Sequence, residues 1–171
     1  DIAAIRSWTH PRRLRHTNRP APKTGLDAKF SVQYVLARAA RDGAVRLDHF
    51  DDAAIRDAKT SRLMARIEAA PHPEARMDTT EHFFADVRVT THDGRSFSAH
   101  VDRPLGRDRA HPLPPGSLDA KFRDCAAMAL EPEHIEELAE QLSILEQIGD
   151  LSRLSRLLGM NTARLAARRA G

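Results

Sequence analysis

The sequence predicts an α+β fold with a small antiparallel sheet, helices packed on one face of that sheet as a two-layer sandwich, and a C-terminal helical extension. Three stretches carry this prediction. Residues 26–41 repeat apolar side chains at helical spacing, and residues 83–101 alternate as two strands around a turn. Residues 133–158 repeat aliphatic side chains every three or four positions. Because an isolated hairpin is unstable in water, we expect helix 26–41 to cover it.

The first element is a short strand over residues 2–8. Its apolar positions favour an orientation with Ile5 and Trp8 turned inward. Pro11 ends the strand, because proline has no amide proton for a sheet ladder. Residues 18–22 contain two further prolines and are therefore expected to be extended rather than helical.

The helix that follows is the segment around which we expect the remainder to be organised. The Thr24 hydroxyl can cap it, Asp27 lies in its first turn, and Gly43 can take the left-handed conformation that ends helices. Small and apolar residues leave little polar surface on it, so the helix is expected to be mostly buried. The predicted buried stripe consists of Leu26, Phe30, Tyr34 and Ala37.

The middle of the chain predicts short elements and then a hairpin. Residues 44–50 are expected to be extended, Asp51 to cap a short helix with Ile55 as its core contact, and residues 61–67 to form another helix. Residues 83–91 and 96–101 alternate between apolar and polar side chains, with a turn at Gly94. The hairpin places Asp86 and Arg88 on the face opposite to Val87 and Val89.

The last third predicts a loop followed by helices. Residues 104–116 hold four prolines and two glycines and are expected to be irregular. Ser117 is expected to cap a helix through residue 130, and an amphipathic helix is predicted for residues 133–148, with a further apolar pattern after Gly149. We therefore divide the chain into an α+β domain, residues 1–130, and a helical extension, residues 131–171.

Composition limits the class of protein. The 171 residues carry a net charge of +3 with 41% hydrophobic residues, and no run approaches the roughly 20 apolar residues that span a bilayer. No secretory leader is visible, so a cytoplasmic location is expected and no membrane is predicted as a partner. The single cysteine, Cys125, excludes an internal disulfide and is predicted to be a small buried residue.

Two arginine clusters leave nucleic-acid binding open as an alternative function. Aromatic residues make up only 5% of the chain and none interleaves with the arginines, which disfavours this alternative. The final cluster also suits the last turn of a helix, where cations complement the dipole. The clusters consist of Arg12, Arg13, Arg15 and Arg19, and of Arg164, Arg168 and Arg169.

No metal or cofactor site is predicted. The sequence has no glycine-rich phosphate loop, serine elbow or cysteine pair. None of the nine histidines pairs at the spacing of a known metal site. They are His10, His16, His49, His72, His82, His92, His100, His111 and His134.

Two segments resemble a known family. Residues 18–43 combine a proline-flanked extended segment with a helix reading D-A-K-F-S-V-Q-Y and a terminal D-G, and residues 106–122 combine a glycine, a proline-rich loop and a K-F helix start. Both resemble the C-terminal domain of the MmgE/PrpD family, which includes 2-methylcitrate dehydratase, cis-aconitate decarboxylase and iminodisuccinate epimerase. The resemblance covers roughly residues 1–130.

The resemblance implies one site residue, and three nearby residues are candidates beside it. The family places a tyrosine at Tyr34 facing the active-site cleft, which makes Tyr34 the candidate catalytic residue and Ser31, three residues earlier, a candidate substrate-binding residue. Arg19 and Lys23 are further candidates, since a cationic rim suits a carboxylate substrate. In the alternative interpretation Tyr34 belongs to the core with its hydroxyl at the solvent edge, and Arg19 and Lys23 lie in a solvated loop.

The function implied by the resemblance is that of a lid domain. Family enzymes dehydrate, decarboxylate or epimerise di- or tricarboxylates, and a separate helical domain carries most of their catalytic residues. A helical catalytic domain, on the same or another chain, and a carboxylate substrate are thus the expected partners, and whether this chain alone is an enzyme stays open. A non-catalytic interaction module, in which residues 133–158 dock a second copy or a separate helical subunit, is an alternative.

Overall fold

The structure is a computed structural model that describes residues 1–78 and 83–159. The chain divides into two compact units, Asp1–Leu113 and Pro114–Gly171. The first unit contains β1 (Ile2–Thr9), α1 (Pro11–Thr17), α2 (Gly25–Lys29), α3 (Val32–Asp42), a 3-10 turn (Leu47–Phe50), α4 (Asp52–Ile55), α5 (Ala58–Met64), β2 (Ile67–Pro71), β3 (Ala85–Thr91) and β4 (Ser96–Val101). The second contains α6 (Ser117–Ala126), α7 (Pro132–Ser143), a 3-10 turn (Leu145–Gln147) and α8 (Ser152–Gly159).

The predicted α+β class is confirmed, but the sheet is mixed rather than antiparallel. Its strand order is β2-β1-β3-β4, in which β1 and β2 are parallel and the other pairs are antiparallel. The helices between β1 and β2 form the crossover that a parallel pair requires. The predicted hairpin of residues 83–101 is present as β3 and β4. Sequence reasoning did not locate β2.

Strand β1 presents its two faces to different surroundings. Ile5 and Ser7 are buried, and Ile5 lies beside Ile67 of β2 and Val89 of β3. Side chains alternate between the two faces along a strand. Trp8 directly follows the buried Ser7 and therefore projects from the opposite face. The expectation that Ile5 turns inward is confirmed, whereas the same expectation for Trp8 is wrong.

The helix predicted over residues 26–41 consists of two helices with separate N-caps. Thr24 Oγ1 accepts a hydrogen bond from the Asp27 amide at 3.1 Å, and Ser31 Oγ accepts one from the Tyr34 amide at 3.1 Å. The helix is interrupted at Phe30 and Ser31, so the predicted buried stripe does not continue from α2 into α3. Leu26 and Phe30 of that stripe are 67% and 46% exposed. The predicted end is confirmed, since Gly43 caps α3 with a φ of 71°.

The core of the first unit lies between α3, α5 and the β1 and β2 side of the sheet. Helix α3 packs mainly against α5 and β2, whereas the hairpin over which it was expected to lie is not among its main neighbours. The hairpin joins the core through β1 instead, with Val87 and Val89 packed against it. The buried core residues are Ile5, Ala28, Tyr34, Ala37, Ile55, Met64 and Ile67.

Between α3 and β2 the predicted elements are displaced. A 3-10 turn occupies Leu47–Phe50, where an extended piece was expected. The Ile55 core contact is confirmed. Helix α5 begins at Ala58, three residues before the predicted start, because Asp57 accepts hydrogen bonds from the Lys59 and Thr60 amides and caps it. The irregular loop predicted for residues 104–116 is confirmed.

The second unit is helical in its described part, residues 114–159. Its core consists of Leu130, Ile135, Leu138, Leu154 and Leu157, flanked by Phe122 and Ala126. Helix α7 ends at Ser143, five residues before the predicted end, and α6 is preceded by Gly116 rather than Ser117 as its cap. Cys125 is exposed, so its predicted burial is wrong. The part of the predicted helical extension after residue 159 lies outside the described residues.

The predicted domain boundary at residue 130 and the predicted cytoplasmic location remain predictions. The division into compact units falls between residues 113 and 114, while the sequence interpretation ended its α+β domain at residue 130. Among the described residues no helix combines the length and apolarity that crossing a membrane requires. The expected cytoplasmic location is not addressed by that finding.

Candidate functional site

The loop that precedes α2 folds around Asp27. Arg19 Nη1 donates to Asp27 Oδ1 at 2.8 Å, and the Lys23 amide donates to Asp27 Oδ2 at 3.3 Å. The pKa of the Asp27 carboxyl is lowered, chiefly by the hydrogen bond from the Lys23 amide. The Thr24 hydroxyl and the Arg19 charge lower this pKa further. The side chain of Lys23 stays exposed. Two predicted substrate-binding residues, Arg19 and Lys23, are therefore brought together at one surface loop.

Ser31 connects this loop to α3. Its Oγ donates to the Arg19 carbonyl at 2.6 Å and accepts from the Tyr34 amide, and the residue is buried. Nearby, Gln33 Nε2 donates to Asn18 Oδ1 at 2.7 Å, while Gln33 Oε1 is buried without a hydrogen-bond partner in the described part of the chain. The structure thus places Ser31 beside Arg19, where its hydroxyl is occupied by the backbone.

Tyr34 lies in the interior of the first unit. Its side chain is 0% exposed, and its hydroxyl donates to the His49 carbonyl and accepts from Arg38 Nε at 3.0 Å. Arg38 in turn donates to the Ala54 carbonyl at 2.6 Å and to Asp42 Oδ2 at 3.3 Å. Burial lowers the pKa of the Arg38 guanidinium, but the bonds to Tyr34 and Asp42 together outweigh burial and raise it.

The four predicted site residues therefore separate into two groups. The first group lies at the loop before α2 and consists of Arg19, Lys23 and Ser31. The second is Tyr34, whose hydroxyl bonds to Arg38 and to the His49 carbonyl and not to Ser31. The core interpretation of Tyr34 placed its hydroxyl at the solvent edge. In the structure the residue is fully buried, so the hydroxyl does not reach solvent. The catalytic and substrate-binding roles of these residues stay predictions.

The sheet face opposite to the core carries a second set of polar side chains. Strand alternation and register place three rows side by side on it. A concavity of about 630 Å³ opens there, and its charged lining residues are Arg6, Arg66, Glu68 and Arg88. The rows across β2, β1, β3 and β4 are Ala70, Trp8, Asp86 and His100, then Glu68, Arg6, Arg88 and Ser98, and finally Ala4, Thr90 and Ser96 without a β2 member.

Two arginines enclose Trp8 on this face. The guanidinium carbon of Arg6 lies 5.1 Å from the Trp8 ring centroid, and that of Arg88 lies 5.6 Å from it. Arg6 and Arg88 are also directly opposite each other on neighbouring antiparallel strands. Arg6 pairs with Glu68 at 3.0 Å, while Arg88 Nε donates to Ser98 Oγ at 3.4 Å.

Asp86 bridges two imidazoles in the adjoining row. His72 Nε2 lies 2.7 Å from Asp86 Oδ2, and His100 Nδ1 lies 2.9 Å from Asp86 Oδ1. Burial raises the pKa of the Asp86 carboxyl, but the hydrogen bonds from His100 and His72 lower it below its ordinary value. His72 Nδ1 accepts from the Glu74 amide, which assigns its proton to Nε2.

His100 is the accessible member of this pair. When Nδ1 donates to Asp86, the second ring nitrogen is left with a lone pair, and the side chain is 58% exposed. A carboxylate-oriented imidazole with a free nitrogen can accept a proton. Sequence reasoning missed the pair because His72 and His100 are far apart in sequence. The hairpin register, which pairs Asp86 with His100, was the signal that could have found half of it.

Other chemistry is limited in the described residues. Within residues 1–78 and 83–159, no group of three or more His, Cys, Asp or Glu side chains is arranged to hold a metal ion. Arg12 donates to the Met77 carbonyl at 3.0 Å, and Arg13 lies over the Phe83 ring at 4.6 Å. Part of the first arginine cluster thus has partners within the chain, and the second cluster, residues 164–169, lies outside the described residues.

The fold and the polar clusters define a small α+β domain with helices on one face of a mixed sheet and an open, charged face on the other. A family model, MmgE/PrpD C-terminal domain, matches residues 1–146, and the chain belongs to this family. The predicted resemblance is therefore confirmed, and the match continues past residue 130 into α7.

Curated relatives are similar to the same part of the chain. Cis-aconitate decarboxylase of Homo sapiens is 28% identical over 145 residues, which are 85% of this chain and 30% of that protein. The Mus musculus protein of the same name is 28% identical over 145 residues, 85% and 29% of the two chains. That of Aspergillus terreus is 24% identical over 139 residues, 80% and 28%. The chain spans less than a third of the length of these relatives.

Proposed function

We propose that this chain acts as the lid domain of an MmgE/PrpD-like lyase or isomerase whose substrates are di- or tricarboxylates. The observation that carries the proposal is the similarity to cis-aconitate decarboxylase, which extends over 85% of this chain but only 30% of the human enzyme. The lid is incomplete by itself, and a helical catalytic domain supplies the remaining part of the site.

The chemistry of such a lid is the exclusion of water and the placement of charge. Decarboxylation breaks a bond between carbon and a carboxylate, and the electron pair left on carbon takes up a proton; dehydration and epimerisation likewise move a proton next to a carboxylate. Negative charge develops in each case, and nearby cations stabilise it best when water is excluded. Arg19 and Lys23, on an exposed loop, are the groups proposed to face the substrate carboxylates.

Tyr34 is proposed as a positioning residue of this site. Its hydroxyl holds Arg38 and the His49 carbonyl, and its amide holds Ser31, which is bonded to Arg19. The hydroxyl bonds thus fix the start of α3, and the amide bond to Ser31 connects this helix start to the loop that carries Arg19. This role needs no direct contact between the buried hydroxyl and the substrate.

A chimaeric enzyme tests the proposal. Residues 1–146 replace the matched segment of human cis-aconitate decarboxylase, and release of carbon dioxide from cis-aconitate is measured. We expect turnover by the chimaera, none by the decarboxylase lacking the segment, and none by the purified 171-residue chain. Robust turnover by the isolated chain, or a folded chimaera as inactive as the truncated enzyme, would contradict the proposal.

A second candidate function, an interaction module, is supported by the apolar surface of the second unit. Leu154 and Leu157 of α8 are buried, but four other leucines of this unit are exposed. The exposed leucines are Leu142, Leu145, Leu151 and Leu158. If this surface joins two copies, light scattering should show a dimer that Leu151→Glu dissociates. The control Leu105→Glu, at an equally exposed leucine of the first unit, should leave the dimer intact. A monomer at every micromolar concentration would remove this candidate.

A further inference from the structure

We propose that the open sheet face binds a small multivalent oxyanion between Arg6 and Arg88, against Trp8. This site is separate from the Arg19 loop and from Tyr34, and the inference does not depend on the lid function. It rests on the register of β1 and β3, on the charges that line the concavity, and on unused hydrogen-bond donors.

Two like charges face each other across β1 and β3. Arg6 and Arg88 occupy directly opposed positions on antiparallel strands, where like charges destabilise the sheet. One carboxylate, Glu68, pairs with Arg6. Asp86 lies in the next row, but its two oxygens are bonded to His72 and His100. An anion held between the two guanidinium groups would remove the repulsion.

The concavity on this face carries an excess of positive charge. Arg6, Arg66 and Arg88 line it together with a single acidic residue, Glu68. Its volume of about 630 Å³ falls in the range of small-molecule sites, roughly 300–1,000 Å³. Arg66 is anchored by a 2.7 Å bond from Nη1 to the Ile2 carbonyl, so one positive charge is held at the rim. Excess positive charge selects a multivalent anion over a monovalent one.

The guanidinium groups beside Trp8 keep hydrogen-bond donors for a ligand. The indole ring of Trp8 supports both guanidinium groups through cation–π contact, which restrains them without using their N–H groups. Arg88 donates through Nε to Ser98, and its two terminal nitrogens have no acceptor in the described part of the chain. A planar fork of free N–H groups matches carboxylate and phosphate oxygens equally well.

Tryptophan fluorescence provides a direct test, because Trp8 is the only tryptophan in the chain. The full 171-residue protein is titrated with citrate, with inorganic phosphate and with acetate at constant ionic strength. We expect a saturable change in Trp8 emission with citrate or phosphate, and a response to acetate at least tenfold weaker. Comparison of citrate with phosphate distinguishes carboxylate from phosphoryl recognition.

Matched variants locate the site. Arg88→Gln should weaken binding at least tenfold, and Arg88→Lys should have an intermediate effect because it retains charge but loses the planar fork. Arg95→Gln removes the same charge from the hairpin turn, where Arg95 pairs with Asp93, and should bind as the wild type does. A thermal shift on addition of the anion provides a second readout that does not depend on Trp8.

Three results would overturn the inference. The first is the absence of saturable binding for every small anion. The second is an equal loss of affinity in Arg88→Gln and Arg95→Gln, which would reduce the effect to net charge. The third is binding of a polyglutamate peptide without binding of citrate or phosphate, which would make this face a docking surface for an acidic protein segment. None of these results bears on the activity of the chimaera.

Discussion

The Tyr34 cluster and the open sheet face both contain arginine, histidine and aspartate side chains, but they differ in burial and in hydrogen bonding. The Tyr34 cluster consists of Tyr34, Arg38, His49 and Asp42. Tyr34, Arg38 and His49 are buried, and the polar atoms of the cluster are bonded to one another or to the backbone. On the sheet face, Arg88 and His100 keep unused donor or acceptor atoms at an exposed surface. Satisfied and buried polar groups hold a fold together, whereas unsatisfied and exposed ones remain free to bind.

The largest expected effect separates these two regions directly. Tyr34→Phe leaves the Arg38 guanidinium and the His49 carbonyl short of a buried partner, and should lower the free energy of unfolding by about 1–3 kcal/mol. Arg88→Gln, at the exposed face, should change it by less than about 0.5 kcal/mol. Urea unfolding of both variants measures the difference, and equal losses would show that the two regions do not differ in this way.

The same Tyr34→Phe substitution also tests the positioning role in the chimaera. Turnover at saturating substrate should fall by more than the loss of stability accounts for. The loss of the hydroxyl bonds to Arg38 and His49 lets the start of α3 shift, and the bond between Ser31 and the Arg19 carbonyl passes this shift to the loop. Both quantities are measured at a temperature where the variant is fully native. If turnover per folded molecule is unchanged, Tyr34 is a core residue only.

A smaller effect is expected at the start of α5, beside the buried region. Asp57 caps this helix and also pairs with Arg41, so Asp57→Ala should cost about 1 kcal/mol, while Asp57→Asn, which keeps a capping oxygen, should cost less. Denaturant unfolding at neutral pH measures both. A loss in Asp57→Asn as large as that in Asp57→Ala would mean that charge, and not capping, dominates.

The pH dependence of Asp57 follows from its hydrogen bonds. The Thr60 hydroxyl and amide contribute most to lowering the pKa of this carboxyl below its ordinary 3.8. A lowered pKa means that the stabilisation is complete above pH 3.8 and is lost as the pH falls below it. Asp57→Asn should therefore lose less stability than the wild type on acidification below pH 4, in parallel unfolding curves.

The smallest effect is expected at Asp86 on the open face. Asp86→Asn removes a carboxylate that two partly exposed imidazoles share, and should cost less than about 1 kcal/mol at neutral pH. The lowered pKa of Asp86 gives the same sign as for Asp57, with stabilisation lost as the medium becomes strongly acidic.

Nitrogen chemical shifts of the imidazoles provide the sharper measurement at this position. In the wild type, His100 should carry its proton on Nδ1, because that nitrogen faces Asp86. Asp86→Asn should shift the population towards the other tautomer, and His49, whose ring faces Asp42 and Asp48, should not change. An unaltered His100 spectrum would show that Asp86 does not orient the ring.

Local interactions explain what could be predicted from the sequence. The Thr24 cap, the left-handed Gly43 and the alternation of β3 and β4 depend on residues within a few positions of each other, and all three are present in the structure. The family resemblance rested on such segments and is confirmed. The Arg19 and Lys23 loop was also identifiable, since its prolines and cap define it locally.

Tertiary structure decided the rest, because the deciding contacts join distant residues. Ser31 interrupts the predicted helix by bonding to the Arg19 carbonyl twelve residues away, and Arg38 is held by a carbonyl sixteen residues away. The opposition of Arg6 to Arg88 and the meeting of His72 with His100 at Asp86 require the order and register of four strands. Local sequence determined the hairpin and the caps that begin or end helices, because their bonds join near neighbours. Packing determined β2, the break at Ser31, and which polar groups were buried and which were left at the surface.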